Sequence, residues 1–118
     1  MTAHYIGTPH TKWFSDGRDM LMLSDFAFVD DQGQEFWALE GETIDGASIP
    51  RFFWRMFGSP FTGLHRYAAV IHDCECRRKY LSWQTVHKGF RDAMKLSGVN
   101  WTKRNLMYRA VYRFGPRW

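Results

Sequence analysis

Apolar residues recur with one spacing in the front half of the chain and another in the back half. Up to about residue 45 they come in short runs separated by turn signals, and beyond it they return every three or four residues. Met20 to Val29 reads as a strand with Phe26 and Phe28 on one face. Asp30-Asp31-Gln32-Gly33-Gln34 reads as a hairpin turn, and Glu35 to Glu40 as the returning strand. Residues 1–11 carry few large apolar side chains and read as an extended arm, followed by the turn signal Ser15-Asp16-Gly17-Arg18.

The back half reads as helical. Ser48 is placed to cap a short helix from Arg51 to Phe57, with Pro50 near its first turn and Gly58 stopping it. A longer helix from about Leu64 to Lys79 is apolar almost all round at Ala68-Ala69-Val70-Ile71, which predicts a central, buried element. Ser82 caps the next, whose stripe is Trp83, Val86, His87, Phe90, Ala93 and Met94, and Gly98 ends it. A last helix from near Asn100 turns Met107, Ala110, Val111 and Phe114 inward and stops at Gly115-Pro116. Strands followed by helices predict an α+β fold. The expected layout is a small N-terminal antiparallel β-hairpin sheet and then three to four helices in one domain. Residues 1–18 form the arm and turn, 19–45 the hairpin and 46–118 the helical part.

Composition narrows the class. The chain is 45% hydrophobic and 18% aromatic, so 118 residues can bury a core without disulfides or a structural metal. No apolar run reaches the ~18–20 residues of a membrane span. The N-terminus lacks the basic-then-apolar layout of a signal peptide. Cys74 and Cys76, two apart on one helix, point to different sides of it and cannot easily pair. The net charge of +4 conceals a polarity: residues 1–59 hold four Lys/Arg against nine Asp/Glu, and residues 60–118 hold twelve against three. That polarity suits a phosphate-rich or lipid surface, or stacking of copies. Arg77, Arg78 and Lys79, with Arg109, Arg113 and Arg117 among the aromatics of the last helix, are the candidate contacts to polyanion or partner.

The candidate chemistry lies on the central helix. His72 and Asp73 sit in its apolar stretch, where an imidazole and a carboxylate need partners to offset desolvation. Folding the following helix back antiparallel brings His87 to the level of His72, so the two rings can meet between the helices. One reading is a pair of core histidines satisfying each other. The other is an oriented general base that activates water. His72, Cys76 and His87 also number three ligands that suit zinc, although no metal-binding spacing accompanies them. Asp45, Gly46, Ala47 and Ser48 form a loop able to hold a cation or present N–H groups to an oxyanion, or simply to turn from strand to helix.

Two resemblances follow from these residues. Asp45-Gly46-Ala47-Ser48-Ile49-Pro50-Arg51, Ala68-Ala69-Val70-Ile71-His72-Asp73, Phe90-x-x-Ala93-Met94 and Val111-x-x-Phe114-Gly115 together resemble a small uncharacterised family of phage and prophage proteins, over about residues 20–118. The resemblance implies a bacteriophage origin and little about activity; the expected location is the virion, after synthesis in the host cytoplasm. The chain is also distantly similar to phospholipase A2, in which a glycine-rich calcium loop precedes a helix bearing His-Asp. That likeness implies His72 as general base, calcium at Asp45 and Asp73, and an orienting residue at position 87. Position 87 holds His where the likeness calls for Asp, Cys76 stands where tyrosine is usual, and the loop lacks the full glycine pattern.

Two functions emerge. One is a virion structural or accessory protein of the tail, connector or adsorption apparatus, on a degenerate hydrolase-like scaffold. It needs no cofactor and assembles as a homo-oligomeric ring or with other virion proteins. The other is a phage-encoded hydrolase acting on the host envelope, with calcium. His87 in place of a carboxylate and the charge polarity tilt the sequence toward the first.

Overall fold

The computed structural model describes residues 2–118. Its fold is α+β, with six short strands preceding the helices: β1 (His4–Ile6), β2 (Thr11–Trp13), β3 (Met20–Met22), β4 (Phe26–Val29), β5 (Glu35–Ala38) and β6 (Thr43–Ile44). They form two antiparallel three-stranded sheets, ordered β1-β4-β5 and β2-β3-β6. The expected hairpin is present as β4 and β5, with Phe28 opposite Phe36 and their rings stacked 5.8 Å apart. The single strand expected from Met20 to Val29 is two strands in different sheets. It breaks at residues 23–25, where Leu23 turns to solvent and the Asp25 carboxylate accepts the Glu40 N–H at 2.8 Å. Strands cover residues 4–6 and 11–13 and the chain turns at Ser15-Asp16-Gly17-Arg18 as expected, but residues 2–11 are not a free arm. β1 pairs with β4 and β2 with β3, and the Tyr5 hydroxyl donates to the Ala93 carbonyl at 3.0 Å.

The helical half follows its periodicity closely. A 3₁₀ turn (Arg51–Phe53) runs into α1 (Trp54–Phe57), and α2 (Arg66–Arg78), α3 (Trp83–Leu96) and α4 (Trp101–Phe114) follow. Ser82 and Asn100 cap α3 and α4 by accepting the Thr85 and Lys103 N–H groups. Helix α2 packs on β4, β5 and β6 on one side and on α3 on the other, and α4 packs on α3. Two expectations fail here. Ser48 caps nothing, because its hydroxyl is engaged elsewhere and Pro50 opens the 3₁₀ turn without a side-chain cap. Phe114 is not inward, being 59% exposed. It lies at the last turn of α4, where the chain leaves the core, and its ring sits 5.9 Å from that of Phe52.

Every residue of α2 from Ala68 to Cys76 is buried, Asp73 and Glu75 included. Glu75 accepts the Trp37 N–H at 2.8 Å, and Arg78 donates to the Trp37 carbonyl while pairing with Glu42 and Glu75. Trp37 lies on β5, an edge strand, so side chains of α2 satisfy backbone groups that a bare edge would offer to another chain.

Helix α3 meets β5 through a missing side chain. A Cβ on Gly89 would stand 2.5 Å from the Phe36 ring, which is buried and held against Phe28. Gly89→Ala gains up to ~1 kcal/mol of helix propensity but overpacks the interface by about 1–3 kcal/mol. It should lower the urea midpoint, whereas a higher midpoint would mean that α3 does not approach β5 this closely.

Candidate functional site

The loop from β6 to the 3₁₀ turn is held by one carboxylate. Asp73 accepts the Asp45 N–H at 2.9 Å and the Ser48 N–H at 3.3 Å, so the loop's donors point inward at a resident anion. Gly46 makes the turn at φ +78°, and a Cβ there would meet Pro60 at 2.9 Å. Arg77 closes the outside of the loop, 2.7 Å from Asp45 and 3.8 Å from Asp73. Burial pushes the Asp73 carboxyl above its ordinary range, against the loop N–H bonds that hold it down.

This geometry fixes where Ser48 points. Its Oγ lies 3.0 Å from His72 Nδ1, His72 Nε2 lies 2.8 Å from His87 Nδ1, and His87 Nε2 lies 2.9 Å from the Pro116 carbonyl. The chemistry of the last acceptor sets the direction of the whole chain. A carbonyl only accepts, so His87 carries its proton on Nε2 and offers a lone pair at Nδ1. His72 then donates from Nε2, which leaves its Nδ1 to accept from Ser48. Four groups thus form a directed relay, Ser48 O–H to His72 to His87 to Pro116.

The surroundings keep both rings neutral. Phe90 stacks on His72 with centroids 4.5 Å apart, and Trp83 and Trp118 flank His87 at 5.7 and 6.3 Å. Burial holds the His72 imidazole well below its ordinary protonation range, and His87 adds to this. Burial lowers His87 as well, opposed by its bond to Pro116.

Cys76, one turn beyond His72, brings its Sγ to 3.5 Å from His72 Nε2. Ser48 and Cys76 line a cleft of about 440 Å³ with Asp45, Ala47, Asp73, Arg77, Lys79 and Pro116. The imidazoles stand behind them.

A family profile matches residues 20–111. The chain belongs to DUF1353, a family of proteins of unknown function. Two proteins of Sinorhizobium fredii, both uncharacterized, resemble it. One, y4jT, is 40% identical over 105 residues, 88% of this chain and 31% of that protein. The other, y4iH, is 42% identical over 104 residues, 87% of this chain and 43% of that protein. The chain therefore spans less than half the length of either relative. No solved structure matches.

In this DUF1353 chain the expected pair of histidines meets as the antiparallel helices required, and Asp73 joins neither. It serves the loop instead. The donors around Asp45 and Asp73 do not fit calcium: both carboxylates face Arg77, and the loop turns N–H groups rather than carbonyls toward Asp73. Arg78 is likewise not a free surface cation, since its side chain is 12% exposed and committed to Glu42 and Glu75. Lys79 and Arg109 are exposed, Arg113 lies over the Phe114 ring, and Arg117 lies 4.5 Å over Trp83 while donating to the Tyr112 carbonyl. Ser48 as the partner of His72, and the Pro116 carbonyl as the end of the relay, escaped sequence reasoning. A serine before Ile-Pro looks like a cap, and a carbonyl has no residue signature. The role of Glu75 was missed too, although a glutamate amid buried positions is itself a signal.

The buried neutral histidines make stability depend on pH. His65, lowered by burial, joins His72 and His87. Below their ordinary value of 6.5 the unfolded chain takes up protons on these groups and the folded chain does not. The unfolded state then binds more protons, so stability falls as pH drops, by about 1.4 kcal/mol per unit for His72 alone. The raised carboxyls of Asp73 and Glu75 act in the opposite sense at the acid end of that window. Urea midpoints should therefore decline from pH 7 toward pH 5, and His72→Asn should flatten the profile. A flat wild-type profile would contradict a neutral buried pair.

Proposed function

We propose that this DUF1353 domain is a hydrolase of the acyl-transfer type, with Ser48 as nucleophile, His72 as its base and His87 as the group that orients His72. The observation that carries the reading is the directed relay that begins at a hydroxyl on the wall of a cleft. A structural pair of histidines would need a donor at its open end, but not one that also lines a cleft, as Ser48 does. The water-activating arrangement expected from the phospholipase likeness is modified here, since the nitrogen that would face water faces Ser48 instead.

In the reaction Ser48 Oγ attacks an acyl carbon while its proton passes to His72 Nδ1. The resulting imidazolium donates from Nε2 to His87 Nδ1, and His87 keeps its bond to Pro116. The proton then goes to the leaving oxygen, and a water admitted through the cleft repeats the sequence to free the acid and restore Ser48. Lys79 on the cleft wall, beside the Arg77–Asp45 pair, offers a cation to an anionic group of the substrate, such as the phosphate or carboxylate of an envelope ester. A neutral imidazole in the orienting position fixes the tautomer of His72 without offering it a full negative charge. Turnover should be modest.

A second reading, a virion structural or accessory subunit of a phage, is favoured by a different feature. Phe52, Met56, Trp101 and Phe114 expose large apolar surface on elements that carry Arg51, Arg55, Lys103 and Arg113 and no carboxylate. An assembly partner, or a neighbouring copy presenting its acidic front half, would cover such a face.

A fluorophosphonate probe separates the two readings. It should label wild-type protein on Ser48, located by peptide mass spectrometry. His72→Ala should cut the labelling rate by ~100-fold or more, as loss of a general base does, and Ser48→Ala should abolish it. His87→Leu should retain the fold and lose most of the rate. Absence of labelling in folded protein that co-purifies with particles would favour the structural role.

A further inference from the structure

We propose that His72, Cys76 and His87 form a binding site for a zinc-class divalent cation, and that filling it silences the Ser48 relay. One donor atom from each residue lies within 4.8 Å of the others, and all three residues are buried. In a tetrahedral site, bonds of about 2.0–2.1 Å to nitrogen and 2.3 Å to sulfur put N···S pairs roughly 3.5 Å apart and N···N pairs roughly 3.3 Å apart. Cys76 Sγ already stands 3.5 Å from His72 Nε2. The two imidazole nitrogens, at 2.8 Å, need to open by roughly half an ångström, a small rotation of each ring. The donor set of two imidazoles and one thiolate selects a borderline-soft ion over calcium or magnesium.

A second observation points the same way. Histidines that bind metal through one nitrogen are held by an acceptor at the other. His87 already donates from Nε2 to the Pro116 carbonyl, which leaves Nδ1 to face the site. His72 has Ser48 Oγ at its far nitrogen, which can accept as readily as donate. The supporting shell of a metal site is thus in place around both rings. Cys76 lines the cleft, so the ion has a path in along the thiol side.

Binding changes the protons in a defined way. The thiol of Cys76 loses one to bulk water, and the proton of His72 moves from Nε2 to Nδ1 as Nε2 takes the metal. His72 then donates to Ser48 Oγ instead of accepting from it. The relay is reversed at its first bond, and the base that would take the Ser48 proton no longer exists. The metal site itself stands on the three ligands and their acceptors, while the silencing rests on the hydrolase reading.

Cobalt(II) is the probe for the site and zinc for the switch. Metal-free protein titrated with cobalt(II) should reach one ion per chain, with ligand-field bands of tetrahedral intensity and a thiolate-to-cobalt charge-transfer band. Calorimetry of zinc binding in buffers of different ionisation enthalpy should give about one proton released per ion. Cys76→Ser should remove the charge-transfer band and weaken binding by ~100-fold or more, and His87→Ala should do the same to affinity while keeping the band's origin testable in wild type. Zinc should slow fluorophosphonate labelling of Ser48 at least tenfold, and chelation should restore it. Binding without the sulfur band, or unchanged in Cys76→Ser, overturns the site. Full occupancy with undiminished labelling overturns the silencing and leaves the site. Metal-free protein that never labels removes the hydrolase reading, and the cobalt spectrum then decides the site alone.

Discussion

A helix buried on all sides that carries an imidazole and two carboxylates can exist only where each of them finds a partner. That constraint on α2 organises the rest of the molecule. His72 reaches α3 and the loop before the 3₁₀ turn, Asp73 gathers that loop's N–H groups, and Glu75 takes a backbone donor of β5. Removing any one partner would strand a polar group where desolvation costs about 1–3 kcal/mol or more. The three contacts run in three directions, so α2 sets the positions of loop, sheet and helix relative to one another. The loop is therefore part of the site. Its shape follows from Asp73, and the aim of Ser48 at His72 follows from its shape.

The same constraint explains why a histidine serves at position 87. A carboxylate beside a neutral imidazole, among Trp83, Val86 and Phe90, would draw a proton onto His72 and bury an ion pair. Such a pair offsets its own desolvation only with further hydrogen bonds. A second imidazole holds the orientation of His72 with no net charge. Its own orientation is then set by a carbonyl from the far end of the chain, which ties residues beyond α4 to the centre of the fold. Neutrality favours stability and works against basicity, because nothing rewards His72 for accepting a proton.

The helices were legible in the sequence because their signals are local. Ser82 and Asn100 cap, Gly98 stops α3 at φ +87°, and the stripe of α3 repeats over three turns. The pairing of His72 with His87 was legible for a related reason: two antiparallel helices joined by a short turn leave little choice of register. The sheets were not legible. Their strands have two to four residues each, too short for alternation to stand out. The run from Met20 to Val29 looked continuous although Ser24-Asp25 interrupts it, because two polar residues do not by themselves say that the chain crosses from one sheet to the other. The pairing of residues 4–6 with β4 is a contact some twenty residues away, and β1 has only one buried-side anchor, Tyr5.

What stayed hidden at the site was the direction of a serine and the partner of a histidine. Residue type gives Ser48 two uses, capping a helix or facing a base, and only the N–H bonds to Asp73 decide between them. Those bonds pull the Ser48 backbone toward α2, so its hydroxyl cannot also reach back to the 3₁₀ turn. The consequence reaches the chemistry. The same lone pair on His87 Nδ1 that receives the proton of His72 is the one a metal ion would take, and the same nitrogen of His72 would give up its proton to make room. Proton relay and metal site are alternative occupants of one gap 2.8 Å wide. A site built from neutral donors in a dry pocket accommodates either, and the thiol of Cys76 at its edge gives a metal the third contact that a proton does not need.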